Sequence, residues 1–118
     1  MHKLDQEILA WIAEHSDSNA LRTQIAGAEV VKRDYMRTGY FIYFNVPAEA
    51  EPLEKSLRPV SPDILSPELR DGAGTTLFLR DGSIHYLEIY ARGGFFPEAL
   101  EAFEFASLPK ALKVLIRM

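Results

Sequence analysis

Positions at helical spacing open the chain. They share one face of a helix and are Leu4, Ile8, Trp11, Ile12 and His15. Steps of three and four residues between such positions predict an amphipathic helix over 3–15, with its apolar stripe against a core. The run 16–19 is made of turn-forming residues and ends this helix. The next segment, 20–28, fits either a helical turn or a short strand.

Strand-like alternation follows. Residues 29–36 are rich in charge and predict a strand with one solvated face, at or near a sheet edge. Arg37-Thr38-Gly39 supplies a turn. Residues 38–46 then predict a strand that is apolar or aromatic on both sides, with Phe41 and Tyr43 on one of them. Such a strand is typical of the middle of a sheet that is covered on both faces.

The strongest local signal is Asp81-Gly82, which lies between two β-rich runs at 75–80 and 83–90. Asp-Gly in this position predicts a β-hairpin, because glycine adopts positive φ without steric cost. A two-residue turn would place Leu79 opposite Ile84 and Leu77 opposite Tyr86. A bulge near the turn would shift this pairing.

A proline-rich crossing joins the two strand pairs over 47–71 and holds five of the seven prolines. Proline lacks a backbone donor and restrains the preceding residue, so we expect an irregular segment with one short helix near 51–57. Six apolar residues inside it predict that the crossing is pinned to the body of the protein; they are Leu53, Leu57, Val60, Ile64, Leu65 and Leu69.

The order of elements predicts an α+β fold. Strands joined by tight turns favour an antiparallel sheet, here of four to five strands, with an N-terminal helix and the proline-rich crossing packed against it. At 118 residues we expect a single domain over 1–118. Segment 99–105 fits a short helix or a last strand, and the apolar tail around Leu112 and Val114 is too short to classify.

Composition removes classes of function. The chain has no cysteine, which excludes disulfides, thiolate zinc sites and a cysteine nucleophile. Thirteen basic and seventeen acidic residues give a net charge of −4, which opposes nucleic-acid binding. No apolar run approaches the length of a membrane span, and acidic residues follow the basic start at once. We expect a cytoplasmic protein with no nucleic-acid or membrane partner.

Catalytic and metal-binding patterns are not found. The three histidines, His2, His15 and His85, show no metal-ligand spacing, and no serine lies in a Gly-x-Ser-x-Gly turn. The glycine pairs lack the context of a phosphate-binding loop. We therefore predict no catalytic residue, no metal and no cofactor. A buried histidine with one hydrogen-bond partner is the simplest interpretation of His85.

Aromatic residues carry most of the remaining information. All five tyrosines fall on predicted strands, and tyrosine is enriched at protein interfaces. Glu88 lies between Tyr86 and Tyr90 on one face, where a carboxylate must be solvated or paired, for example with Arg33 or Arg92. One helix cannot cover both faces of so apolar a sheet. Either the proline-rich crossing or another chain covers the second face.

Four stretches of the chain form a recognisable pattern: RDY at 33–35, GYFIYFNVP at 39–47, GAGTTLFLRDG at 72–82 and LEIY at 87–90. This pattern resembles that of small uncharacterised bacterial domains, some of them among toxin-neutralising immunity proteins. The resemblance spans roughly 29–105, departs at Met36-Arg37, where the pattern has Thr-Gly, and implies a fold more than an activity.

The leading hypothesis is a non-enzymatic domain that binds another protein, itself, or both, and the resemblance implies an immunity-like role. The predicted binding residues are Tyr43, Tyr86, Glu88, Tyr90 and Arg92. The alternative is a small-ligand or enzymatic pocket between the sheet and the crossing, using Glu88, His85 or Arg92. A third hypothesis is a subunit that stabilises a larger assembly.

Overall fold

A computed structural model describes residues 1–107, so the apolar tail around Leu112 and Val114 lies outside the described residues. Two helices open the chain: α1 spans Lys3–Glu14 and α2 spans Asn19–Gly27. The spacing that predicts α1 places its apolar stripe against the sheet, where Ile8 and Ile12 are fully buried.

Helix α2 occupies the segment that the sequence left open between helix and strand. Ser18 precedes it, and the Ser18 hydroxyl accepts a hydrogen bond from the Leu21 amide at 3.1 Å. This N-cap satisfies a backbone donor that the first turn leaves free, which favours the helix. Leu21 on its inward side is fully buried, so tertiary packing fixes the choice.

Six antiparallel strands form one sheet in the order β1-β2-β5-β4-β3-β6. The α+β class with an antiparallel sheet is confirmed, with one strand more than the upper estimate. The strands are β1 Glu29–Met36, β2 Gly39–Asn45, β3 Asp63–Ser66, β4 Leu69–Arg80, β5 Ser83–Ala91 and β6 Glu104–Ala106.

The proline-rich crossing is more regular than its composition indicates. It contains β3 and the start of β4, which begins at Leu69 rather than at 75. The prolines lie outside the ladders: Pro62 precedes β3 and Pro67 lies in the turn between β3 and β4. No helix forms over 51–57, where one turn at Lys55-Ser56 is the only regular feature.

The hairpin at Asp81-Gly82 has a two-residue turn with φ of 50° and 79°, the positive values that such turns require. Leu79 pairs with Ile84 as expected. A bulge follows at His85, so Phe78 pairs with Tyr86 and Leu77 with Leu87. The expected pairing of Leu77 with Tyr86 is therefore wrong, because the extra residue shifts the register by one.

The sheet has an inner face, which carries the core. Ile42, Leu87 and Ile89 point to this side and are fully buried. The helices cover it together with the first part of the proline-rich crossing, whose Leu53 joins the same core. The Thr75 hydroxyl, also on this side, donates to the Pro62 carbonyl at 2.6 Å. The crossing therefore covers the face that the helices cover, and not the second face.

Candidate functional site

The opposite side of the sheet, which we call the outer face, is built from three rows of residues that pair across β1, β2, β5 and β4. None of its non-glycine residues is buried in the described chain. The rows are Lys32, Tyr43, Tyr86 and Phe78; Asp34, Phe41, Glu88 and Thr76; and Met36, Gly39, Tyr90 and Gly74.

Aromatic rings dominate the first row and its neighbour. Tyr86 is the centre: its ring stacks on Phe78 at a centroid distance of 4.4 Å and lies 5.4 Å from Tyr43 and 5.8 Å from Phe41. The Lys32 ammonium lies 5.4 Å from the centroid of the Tyr43 ring. These rings shield one another only in part, because each remains partly exposed. The result is a contiguous aromatic surface.

Glu88 lies in the middle of this surface. It pairs with Phe41 on one side and Thr76 on the other, and Tyr86 and Tyr90 flank it along β5. Within residues 1–107 the Glu88 carboxylate has neither an ion pair nor a hydrogen bond. The expected pairing with Arg33 or Arg92 is not found, since both arginines pair elsewhere. Neither Glu88 oxygen is among the fully buried unpaired atoms of the described chain, so water or a cation from outside solvates the carboxylate.

Tyr90 lies flat over a gap left by glycine. Its neighbours across the strands are Gly39 and Gly74. A Cβ at Gly74 would overlap the end of the Tyr90 ring, so only glycine leaves room for the ring in this position. Tyr90 is nevertheless 37% exposed. The ring therefore remains available at the edge of the aromatic surface.

Arg92 adjoins this edge of the outer face. Its guanidinium lies 5.7 Å from the centroid of the Tyr90 ring and forms an ion pair with Asp63 Oδ1. Asp63 is buried, and its Oδ2 has no hydrogen-bond partner among residues 1–107. Arg92 is thus anchored by Asp63 on β3, which explains why it does not reach Glu88.

The five residues predicted to bind lie on this one surface: Tyr43, Tyr86, Glu88 and Tyr90 share the outer face and Arg92 adjoins it. Sequence reasoning missed Phe41 and Phe78 as members of the site. Strict alternation along β2 and β4 indicates their side of the sheet, and Phe41 meets Tyr86 through the β2–β5 pairing. The contact of Phe78 with Tyr86 depends on the bulge at His85.

His85 is not the buried histidine that the sequence predicted. It is partly exposed at the bulge, and its ring packs edge-on against Tyr43 at 5.9 Å and Tyr86 at 5.1 Å. Two cavities, of about 480 and 500 Å³, border the proline-rich crossing, and neither is lined by His85, Glu88 or Arg92. The residues named for the alternative pocket therefore belong to the outer face.

Two further observations concern residues 1–107. No group of three or more His, Asp or Glu side chains in this part of the chain is arranged to hold a metal ion. Neither α1 nor α2 has the length and apolar character that crossing a membrane requires.

The chain was compared with known protein families, curated proteins and solved structures. The chain matches no protein-family model, no curated protein and no solved structure.

Proposed function

We propose that this chain is a non-enzymatic binding domain that presents its outer face to another protein. The observation that carries the proposal is Glu88, a partly buried carboxylate without a partner in the described chain, surrounded by partly exposed Tyr and Phe rings. Aromatic side chains supply large apolar contact area with polar tips, and they are enriched at protein interfaces. A partner that covers this surface removes the rings from water, and it must replace the water around the Glu88 carboxylate with a donor of its own.

The charge of Glu88 and of the whole chain indicates which kind of protein would bind the outer face. A Lys or Arg side chain of the partner is the best match for the Glu88 carboxylate, because a charge-assisted hydrogen bond is stronger than one from a neutral donor. The net charge of −4 adds long-range attraction for a basic protein. We therefore propose a basic protein surface with an exposed cationic side chain that fits between Tyr86 and Tyr90.

Two kinds of partner fit the outer face: a toxin and a second copy of this chain. The resemblance to toxin-neutralising immunity proteins makes a toxin a suitable partner, and the absence of cysteine fits a cytoplasmic site of action. A homodimer formed through the same face would cover the rings in the free protein. Sedimentation measurements over a range of concentrations distinguish the two arrangements.

The test compares variants of the full chain as bait in affinity capture followed by mass spectrometry. Tyr86→Ala removes the central ring, and Glu88→Gln removes the charge with little change in shape. Each has a matched control outside the outer face: Phe95→Ala, at a residue that is 68% exposed, and Glu7→Gln on α1. We expect one partner that both controls retain, and a loss of at least about tenfold in affinity with either face variant.

The outcomes separate cleanly. Loss of the same partner with Tyr86→Ala and Glu88→Gln, but not with the controls, supports the proposal. A concentration-dependent dimer that the face variants alone dissociate identifies the partner as a second copy. If every captured protein binds all four variants equally, and all four remain monomers, the outer face is not a binding surface and the proposal is wrong.

A further inference from the structure

A further cavity lies on the inner side of the sheet, at its β1 end. It has a volume of about 620 Å³, within the range of small-molecule sites. Helix α1 begins at one side of it, β1 and β2 form its floor, and residues 96–100 after β5 close another side. Its apolar lining includes Leu4, Tyr40, Phe96 and Leu100.

The floor holds a polar network. Asp5 is fully buried, and the Arg33 guanidinium forms an ion pair with its Oδ2. The Tyr40 hydroxyl donates to Asp5 Oδ1 at 2.7 Å, and the Tyr40 ring lies 4.7 Å from the Arg33 guanidinium carbon. Asp5 and the ring thus hold the guanidinium from two directions. A buried ion pair adds little stability compared with apolar residues of the same volume, so its main consequence is a fixed orientation of Arg33.

Arg33 retains unused hydrogen-bonding capacity. A guanidinium has five N–H donors, and those of Arg33 have two side-chain acceptors within residues 1–107, Asp5 and the Tyr40 hydroxyl. The Arg33 side chain is 26% exposed and lines the cavity. Lys3 adds a second cation to the lining and Glu98 adds a carboxylate, and neither has an ion pair in the same part of the chain. The cavity therefore combines an oriented guanidinium with apolar and aromatic walls.

We propose that this cavity binds a small organic carboxylate with a flat apolar body. The carboxylate accepts hydrogen bonds from the free donors of Arg33, whose planar fork matches the geometry of a carboxylate. The body lies against Tyr35, Tyr40 and Phe96. This site is separate from the outer face, on the opposite side of the sheet, and does not depend on the function proposed for that face.

Phenylacetate is the probe, because it combines one carboxylate with one aromatic ring. Phenylacetamide has the same shape without the charge, and acetate has the charge without the ring. Binding to the full chain is followed by NMR, as shifts of backbone amide signals. We expect phenylacetate to bind at least about tenfold more tightly than either comparison compound, with the largest shifts at residues around the cavity.

Variants locate the site. Arg33→Lys keeps a positive charge beside Asp5 but loses the planar fork, and we expect affinity for phenylacetate to fall at least about tenfold. Lys32→Gln is the matched control, since Lys32 is the next residue on β1 but points to the outer face; it leaves the affinity unchanged. Ala99→Trp fills the cavity without touching the network and abolishes binding even if Arg33→Lys fails to fold.

Four results would overturn the assignment. Phenylacetamide binding as tightly as phenylacetate would exclude recognition by charge. Shifts that map elsewhere, or binding that survives Ala99→Trp, would exclude this cavity. The lack of any binding of phenylacetate at concentrations on the order of 10 mM would exclude a carboxylate site of useful affinity. None of these results bears on the capture experiment with the outer-face variants.

Discussion

The two faces of the sheet are made by the same strands, yet they differ in residue type and in cover. Along β5, the inner positions Leu87 and Ile89 are aliphatic and fully buried, whereas the outer positions Tyr86 and Tyr90 are aromatic and partly exposed. Two helices and the proline-rich crossing all pack on the inner face. An apolar strand therefore does not by itself show where a core lies, because outer positions rich in tyrosine give the same apolar sequence pattern as buried positions.

Asp5 and Glu88 illustrate two ways in which this protein places a carboxylate among apolar side chains. Asp5 on the inner side is fully buried, and both of its oxygens are bonded, to Arg33 and Tyr40. Glu88 on the outer face is partly exposed and has no partner in the described chain. The first arrangement is complete without a ligand on Asp5 itself. The second is complete when water or another molecule supplies a donor.

The largest expected effect comes from truncating neighbouring residues on opposite faces. Leu87→Ala leaves a cavity in the core and should lower the free energy of unfolding by about 2–5 kcal/mol. Tyr86→Ala removes contacts that are already partly solvated and should cost about 1 kcal/mol. Urea unfolding followed by circular dichroism measures both values. Equal costs would mean that the outer face is buried in solution and would contradict the comparison.

Tyr40, on the inner face, should make the free energy of unfolding depend on pH. Burial raises the pKa of Tyr40 from 10.0 to about 12, against the opposing effect of Arg33. Because the folded-state pKa lies above the unfolded value, the stabilisation is fully present below pH 10. It is lost as the pH rises from about 10 to 12, where the unfolded chain ionises first. The loss from this group amounts to about 2–3 kcal/mol at most.

Tyr40→Phe tests this assignment, since phenylalanine does not titrate. The variant loses the hydrogen bond to Asp5 at neutral pH, but its free energy of unfolding should fall less steeply between pH 10 and 12 than that of the parent protein. Parallel curves for the parent and Tyr40→Phe would show that Tyr40 does not differ from an exposed tyrosine.

Local signals in the sequence predicted the fold class and much of the sheet. The Asp81-Gly82 turn was readable because two adjacent residues determine its geometry. Strand β3 was not predicted, and a strand was only one of two alternatives for the segment that contains the start of β6. Both strands are short, with four and three residues, and depend on remote pairing, such as that of Ile64 with Ala73 and Phe105. Prolines beside β3 hid it further, since they lie outside its ladder but dominate the local composition.

The site was predictable to the extent that it follows from alternation. One alternating strand places Tyr86, Glu88 and Tyr90 on the same side, and antiparallel pairing adds Tyr43. The partners of the arginines were not predictable. Arg33 pairs with Asp5, which is 28 positions away, and Arg92 pairs with Asp63 on another strand. Such pairings depend on how helices and strands meet, which no local pattern contains.

The smallest expected change in stability is at Gly74, which pairs with Tyr90 on the outer face. Gly74→Ala places a methyl group where the end of the Tyr90 ring now lies. The obstacle is the far end of a side chain that is 37% exposed, so the ring can swing aside, and alanine suits a strand better than glycine. We expect a change below about 1 kcal/mol in the free energy of unfolding, with displaced Tyr90 ring signals in NMR spectra. Thr76→Ala, the next outer residue on β4, is the control and leaves those signals in place. A loss above about 2 kcal/mol would show instead that Tyr90 is locked as a core residue is, and the outer face would then be packed as tightly as the inner one.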